Sequence, residues 1–266
     1  MEIQVDSWYK AIEERHSQRA FNGKSLSEEQ LLHLENICRE FRPFRGGRAV
    51  VVRTPPENVF TGAIGSYGKI RDSPHIIAFI GDTRVPEINE VVGYLGEGVI
   101  LEATSMDVHT CWVGGFFRPE IVRRHLELDD NEKVFAITPI GHGLERKTGS
   151  EKVFSRILRS RKRKQTKDLL LGTSDFSTDW IETALEAARL APSAANRQPW
   201  RFVVDSDSIT IRMDNLRNGR WVSKRLDCGI AMLHLELGAG RRGVKGTWEF
   251  LPTPDVVRFH ADSRGK

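Results

Sequence analysis

Cysteine, long apolar runs and net charge are all scarce in this sequence, and each shortage removes a class of protein. Three cysteines occur in 266 residues, Cys38, Cys111 and Cys228, far apart and without metal-ligand spacing. An odd, scattered set argues against a disulfide framework and a zinc site, and for a reducing, cytoplasmic setting. No apolar stretch approaches the ~20 residues that a membrane-crossing helix needs. The opening residues, Met1 to Asp6, carry acidic side chains and no apolar core, so no secretory leader is expected. Lys and Arg number 40 against 36 Asp and Glu, a net charge of +4. That excess is modest, and much of it gathers between Arg156 and Lys167. No Gly-x-Gly-x-x-Gly fingerprint marks a separate dinucleotide-binding domain. What remains, 39% hydrophobic and 29% charged residues, is ordinary for a globular chain long enough to bury one large core or two smaller ones.

Helical and extended patterns alternate along the chain. A first helix is predicted from Ser7 to about Glu14, with Trp8 and Ile12 on one face. Ser27 and Gln30 form a capping box, and Leu31, Leu34, Cys38 and Phe41 follow at helical spacing. Strands are expected over Ala49–Val52, Ile76–Ile80, Thr110–Val113 and Val134–Ile140. Between them, Asn89–Met106 reads as a helix with Val92, Leu95, Val99 and Ala103 inward. Gly93, Gly96 and Gly98 weaken that helix by propensity, so their expected use is the close approach of another backbone. Pro119 suits the first position of a short helix to Leu126. Past Gly141 the pattern fades into a basic stretch. A helix then opens near Thr178, strands follow at Arg201–Val204 and Ile209–Arg212, a helix spans about Asp227–Ala239, and strands are expected at Thr247–Leu251 and Val256–Phe259.

An internal repeat runs through this order. Gly229 stands 136 residues after Gly93, and Trp248 stands 136 after Trp112; Leu, Ala and Val match between them in sequence. Arg48-Ala-Val-Val and Arg201-Phe-Val-Val correspond with a different gap. The expectation is two related α+β halves in one chain, 1–164 and 165–266.

Two motifs carry chemistry. Arg15-His-Ser-Gln-Arg19 sits at the end of the first helix, and two arginines with a serine in five residues can surround a phosphate by charge-assisted hydrogen bonds. Ala191-Pro-Ser-Ala-Ala-Asn-Arg-Gln-Pro-Trp200 links a helix to a strand, stiffened by two prolines, and offers hydroxyl, amide and backbone donors to a polar, planar ligand. Together they suggest a phosphorylated aromatic cofactor held between distant parts of the chain. Taken singly, each has a plainer reading, a charged helix end and a capped turn.

With Thr110-Cys-Trp-Val-Gly-Gly115, these motifs resemble three signatures of the FMN-dependent nitroreductase family. In that family the Pro-Ser-x-x-Asn turn follows the second helix of the same domain; here that place holds Phe41-Arg-Pro-Phe-Arg-Gly-Gly47, and the turn lies in the second half, which lacks an Arg-x-Ser-x-Arg motif. Family members are usually homodimers with FMN at the interface, so this chain resembles a fused variant. The implied fold is α+β and nitroreductase-like, two related α/β/α halves mimicking the homodimer, and the chain is expected to be a monomer.

The resemblance implies one FMN per chain, because the mirror-image site has lost both motifs. It carries Arg15, His16, Ser17 and Arg19 to the phosphate and ribityl side, and Ser193 and Asn196 to the contacts made across the dimer. Ser66 and Lys69 correspond to the region facing the flavin pyrimidine, where a cation would stabilise charge on the reduced ring; their plainer reading is a solvated loop. Gly114 and Gly115 correspond to the close backbone approach to flavin N5, or else to a strand-ending turn. Arg161 and Arg163, in the basic run Arg159–Lys164, correspond to a segment that returns cations to the phosphate; otherwise the run is a solvated linker or a weak nucleic-acid patch. His142 reads as a turn residue, and Trp112 and Trp248 as core. The implied activity is ping-pong hydride transfer from NAD(P)H through FMN to a nitroaromatic, quinone or similar small acceptor, with no acid–base residue, metal, membrane or nucleic-acid partner expected. The alternatives are a non-catalytic flavin-binding or storage protein, and a flavin-dependent dehalogenase or flavin-fragmenting enzyme on the same fold.

Overall fold

The computed structural model describes residues 1–60, 70–144, 162–172, 178–217 and 222–262. Helix α1 (Val5–Glu14) buries Trp8, Ala11 and Ile12, an apolar stripe at helical spacing. Helix α2 (Glu28–Glu40) starts at the expected capping box: Gln30 N donates to Ser27 Oγ and Ser27 N donates to Gln30 Oε1, both at 3.2 Å.

The strands form two four-stranded antiparallel sheets. The first holds β1 (Gly47–Val52), β2 (His75–Asp82), β3 (His109–Thr110) and β4 (Glu132–Gly141) in the order β1-β2-β4-β3. The second holds β5 (Trp200–Val204), β6 (Ser208–Met213), β7 (Gly246–Phe250) and β8 (Asp255–Ala261) in the order β5-β6-β8-β7. Both sheets therefore run first, second, fourth, third. The register slips between Phe79 and Ile80 in β2 and between Ile211 and Arg212 in β6. At each slip one residue of the fourth strand, Phe135 or Val256, is passed over in the pairing with the second.

Helix α3 (Ile88–Ser105) lies between β2 and β3, and the short α4 (Pro119–Arg123) between β3 and β4. Helices α5 (Thr166–Leu169) and α6 (Asp179–Leu190) precede the second sheet, and α7 (Lys224–Arg241) lies between β6 and β7. Helices α3 and α7 pack against each other at the centre, with α6 and α1 against α7. Their crossing is close because Gly93 and Gly229 meet there. A Cβ on Gly93 would collide with the carbonyl oxygen of Leu226, and one on Gly229 with that of Glu90. One apolar core runs through both helices and both sheets; a second cluster, including Phe21, Ile76 and Ile137, covers the other face of the first sheet.

Three expectations need correction. Gly96 and Gly98 do not meet backbone: added Cβ atoms would strike the ring of Trp112 and the rings of Phe41 and Trp8. The strand expected over Thr110–Val113 is reduced to His109–Thr110, because Cys111 N donates to Thr138 Oγ1 at 3.0 Å and the chain rejoins the sheet only at a Val113–Ile137 bridge. The short helix after Pro119 ends at Arg123 rather than Leu126. Among the described residues, no helix is long and apolar enough to cross a membrane.

Candidate functional site

A cleft of about 780 Å³, including space open to solvent, lies between the first and second halves of the chain. One wall comes from the segment after α1, with Arg15, Ser17 and Arg19, and from Cys111, Trp112 and Gly114 after β3. Parallel pairing of Ser17 with Thr110 holds these two segments side by side. The other wall is the turn Pro192–Asn196 together with Val222, Leu226, Asp227 and Ile230; Arg163 also lines it. Val222, Leu226 and Ile230 recur every fourth residue, so one face of α7 and the residues before it presents an apolar strip.

The turn between α6 and β5 is wound against its preferences. Ala195, Asn196 and Gln198 have φ of 52°, 54° and 48°, a left-handed region that disfavours side chains bearing Cβ. Hydrogen bonds from three directions hold it. Gln198 N donates to Ser193 Oγ at 2.9 Å. Asn196 accepts from Arg163 Nη1 at 2.9 Å through Oδ1 and donates from Nδ2 to the Lys162 carbonyl at 2.8 Å. Gln198 Oε1 accepts from Lys164 N at 2.7 Å. From α7, Asp227 accepts from Ala194 N at 3.0 Å and from Arg197 Nε at 2.6 Å. Asp227 is 1% exposed. Burial pushes its carboxyl up from 3.8 to about 6, with Arg197 and the Ala194 N–H pulling the other way. Burial also raises the Cys111 thiol, against the neighbouring Arg19.

Behind the first wall, Trp112 Nε1 donates to Glu97 Oε2 at 2.6 Å, and Trp112 packs on Phe79 with ring centres 4.8 Å apart. Arg15 Nε lies 4.0 Å from Glu97 Oε1, its side chain 8% exposed. The cleft is thus a guanidinium-rich pocket with an indole and an apolar strip on its sides. Such a donor set can take a phosphate at one end and a flat ring system beside it.

Residues 7–239 match the family model described as "Putative TM nitroreductase". The chain belongs to this nitroreductase family. It is similar to "Putative NAD(P)H nitroreductase acg" of Mycobacterium tuberculosis, 29% identical over 86 residues that make up 30% of this chain and 25% of that relative. The chain therefore spans about a quarter of the curated relative it matches. Its fold is that of a crystal structure described as a "putative nitroreductase" from Thermotoga maritima, with a TM-score of 0.65 at 20% identity, over 98% of this chain and 96% of that one. A nitroreductase with bound FMN from Bacteroides fragilis matches 54% of this chain and 95% of its own at 18% identity, with a TM-score of 0.42.

In this nitroreductase-family chain, the structure brings seven of the expected site residues to one cleft: Arg15, Ser17, Arg19, Gly114, Arg163, Ser193 and Asn196. His16 and Gly115 do not line it. The His16 ring meets His109 edge-on at 5.2 Å. Gly114 takes the tight position instead, where a Cβ would lie 2.8 Å from a methyl of Val222. Ser66, Lys69 and Arg161 lie outside the described residues. His142 follows the end of β4, where its carbonyl accepts from Asn22 N at 2.9 Å, as a turn residue would. Trp112, read as core, also lines the cleft.

The reading of the sequence missed Asp227, Arg197, Cys111 and the Val222–Leu226–Ile230 strip. The four-residue spacing of the strip was visible, but nothing in it told which surface it would face.

A second cluster is built on the same pair of helices, α3 and α7. Tyr94 and Trp248 stand 136 residues from Ile230 and Trp112. Tyr94 Oη donates to Glu236 Oε2 at 2.7 Å and Trp248 Nε1 to the same oxygen at 2.6 Å. Phe44 packs edge-on against Tyr94 at 5.1 Å and against Phe250 at 5.4 Å. Aromatic rings fill this place.

Proposed function

We propose that this chain is an FMN-dependent NAD(P)H oxidoreductase of nitroreductase type, in which one polypeptide supplies both walls that a homodimer would otherwise assemble. The observation that carries the reading is the convergence of Arg15, Ser17 and Arg19 with Ser193 and Asn196, far apart in sequence, on one cleft. The matching strand order of the two sheets supports a division into halves, 1–164 and 165–266. The aromatic filling around Tyr94 and Phe44 supports one cofactor per chain.

The residues present fit FMN. Arg15, Arg19 and Arg163 supply cations for its phosphate, and Ser17, Ser193 and Asn196 supply neutral hydrogen-bonding groups. Trp112 and the Val222–Leu226–Ile230 strip offer flat and apolar walls for its ring. When bound, FMN would supply the two-electron chemistry, taking hydride from NAD(P)H and passing reducing equivalents to a nitroaromatic, quinone or similar acceptor in the same cleft. The protein's share is to bind, orient and exclude water. The strained turn does the orienting: its left-handed residues are over-determined by Arg163, Asp227 and the Lys162 carbonyl, so Ser193 and Asn196 are preset rather than recruited.

The test is an absorbance spectrum of the purified chain, calibrated for FMN and repeated after anaerobic NADH or NADPH. Bound flavin that bleaches supports the oxidoreductase. Flavin that stays oxidised with both donors points to binding without turnover. The double variant Arg15→Ala, Arg19→Ala should lose FMN; normal flavin content in that variant would sink the assignment of the cleft.

A further inference from the structure

Behind Arg15 and Trp112 lies a pair of buried titratable groups that the proposed reaction does not use. Glu97 on α3 and His234 on α7 are both 0% exposed. His234 Nε2 is 2.9 Å from Glu97 Oε1, and His234 Nδ1 is 3.1 Å from the carbonyl oxygen of Ala187 on α6. A carbonyl oxygen only accepts, so Nδ1 carries a hydrogen. A neutral imidazole protonated at Nδ1 has only a lone pair at Nε2, and an ionised carboxylate offers only lone pairs as well. Two lone pairs do not make a buried contact at this distance. The contact requires one more proton, on Nε2 or on Oε1. The other carboxylate oxygen accepts from Trp112, and Arg15 lies at the edge of ion-pair reach of Oε1.

We propose that Glu97 and His234 hold one buried proton between them, and that this proton keeps Glu97 from drawing Arg15 into a tight pair. Both act as positioning residues. A bare carboxylate in so dry a place would draw the nearest cation into a tight pair, and among the described residues Arg15 is the guanidinium within reach. The other glutamates on α3 and α7 have their own partners. On α3, Glu90 pairs with Arg225, and Glu102 with His33 and Trp8. On α7, Glu236 takes Tyr94 and Trp248. From α6, the Ala187 carbonyl oxygen meets the ring.

The role toward Arg15 rests on the FMN reading above; the proton does not, and the two are tested apart. Nitrogen and proton NMR of the full chain with ring-labelled histidine, at near-neutral pH, should show a hydrogen on Nδ1 of His234 and a second, strongly downfield proton in the Nε2–Oε1 bond. In Glu97→Gln the amide can donate to Nε2 and accept from Trp112 without that proton, so the downfield signal should vanish and Nε2 should take the shift of a bare nitrogen. A wild-type spectrum with no bridging proton, the same as that of Glu97→Gln, would overturn the proposal.

FMN titration tests the second part. Glu97→Gln should bind FMN within about threefold of wild type, while His234→Leu should bind about tenfold or more weakly. Adding Glu97→Gln to His234→Leu removes the charge that captures Arg15 and should restore most of the affinity, even if stability is not restored. Tight binding by His234→Leu, or no recovery in the double variant, would refute the role toward Arg15. A wild-type chain that binds no FMN would instead defeat the proposed function, and the NMR result would still decide whether the pair holds its proton.

Discussion

A buried carboxylate beside an arginine is a place where pH and stability are coupled. Asp227 has its carboxyl raised from 3.8 to about 6, chiefly by burial. The folded chain therefore holds that proton more tightly than the unfolded chain. Its contribution to stability is fully present below about pH 4 and is lost as pH rises through about 6, by up to about 3 kcal/mol. Asp227→Asn removes the titration but keeps an acceptor for Ala194 N. Thermal midpoints measured in steps from pH 4 to 7 should fall in the wild type relative to the variant; parallel curves would show that the carboxyl is not coupled to folding. The same residue shows what a sequence conceals. Arg15, Ser17, Arg19, Ser193 and Asn196 were legible because each sits in a short motif whose residue types suit one ligand. Asp227 has no such motif. Its meaning comes from lying opposite Ala194 and Arg197, and only the folded chain places it there.

At the scale of elements, boundaries set by local chemistry were readable and those set by long-range pairing were not. The Ser27–Gln30 box fixed the start of α2 because its partners lie within one turn. The end of β3 depends on Thr138, across the sheet, taking the Cys111 N–H, which no local pattern encodes. The glycines of α3 divide in the same way. Their presence suggested close approach, but only Gly93 meets a backbone, and it does so against the helix that carries Gly229. Gly93→Ala or Gly229→Ala would force α3 and α7 apart along the core shared by both sheets. Each should cost about 3 kcal/mol or more, comparable to severe overpacking. Gly243 has a φ of +70° and nothing near its added Cβ, so Gly243→Ala should cost only about 1 kcal/mol, the strain of one left-handed residue. Chemical denaturation of the three variants measures the contrast. Equal losses would mean that the crossing is not tight.

For the whole molecule, the question is how many ligand sites one chain makes. Gly93 and Gly229, like Trp112 and Trp248, stand 136 residues apart, and the two sheets share one strand order. What the spacing could not disclose is how the second place is closed. Ile230 lines the cleft, whereas Tyr94, its counterpart by spacing, turns its hydroxyl to Glu236 and packs its ring on Phe44. A pocket filled by a network of this kind cannot be reopened by one truncation, since removing Phe44 leaves the Tyr94 and Trp248 bonds to Glu236 intact. FMN titration should therefore saturate at one equivalent per chain in the wild type and also in Phe44→Ala. The solution mass should stay near the 30.2 kDa of a single chain, because both walls of the cleft come from one polypeptide. Two equivalents of flavin would show that the aromatic cluster opens. A mass near twice that value, with one flavin per two chains, would show that the site is shared between molecules rather than completed within one.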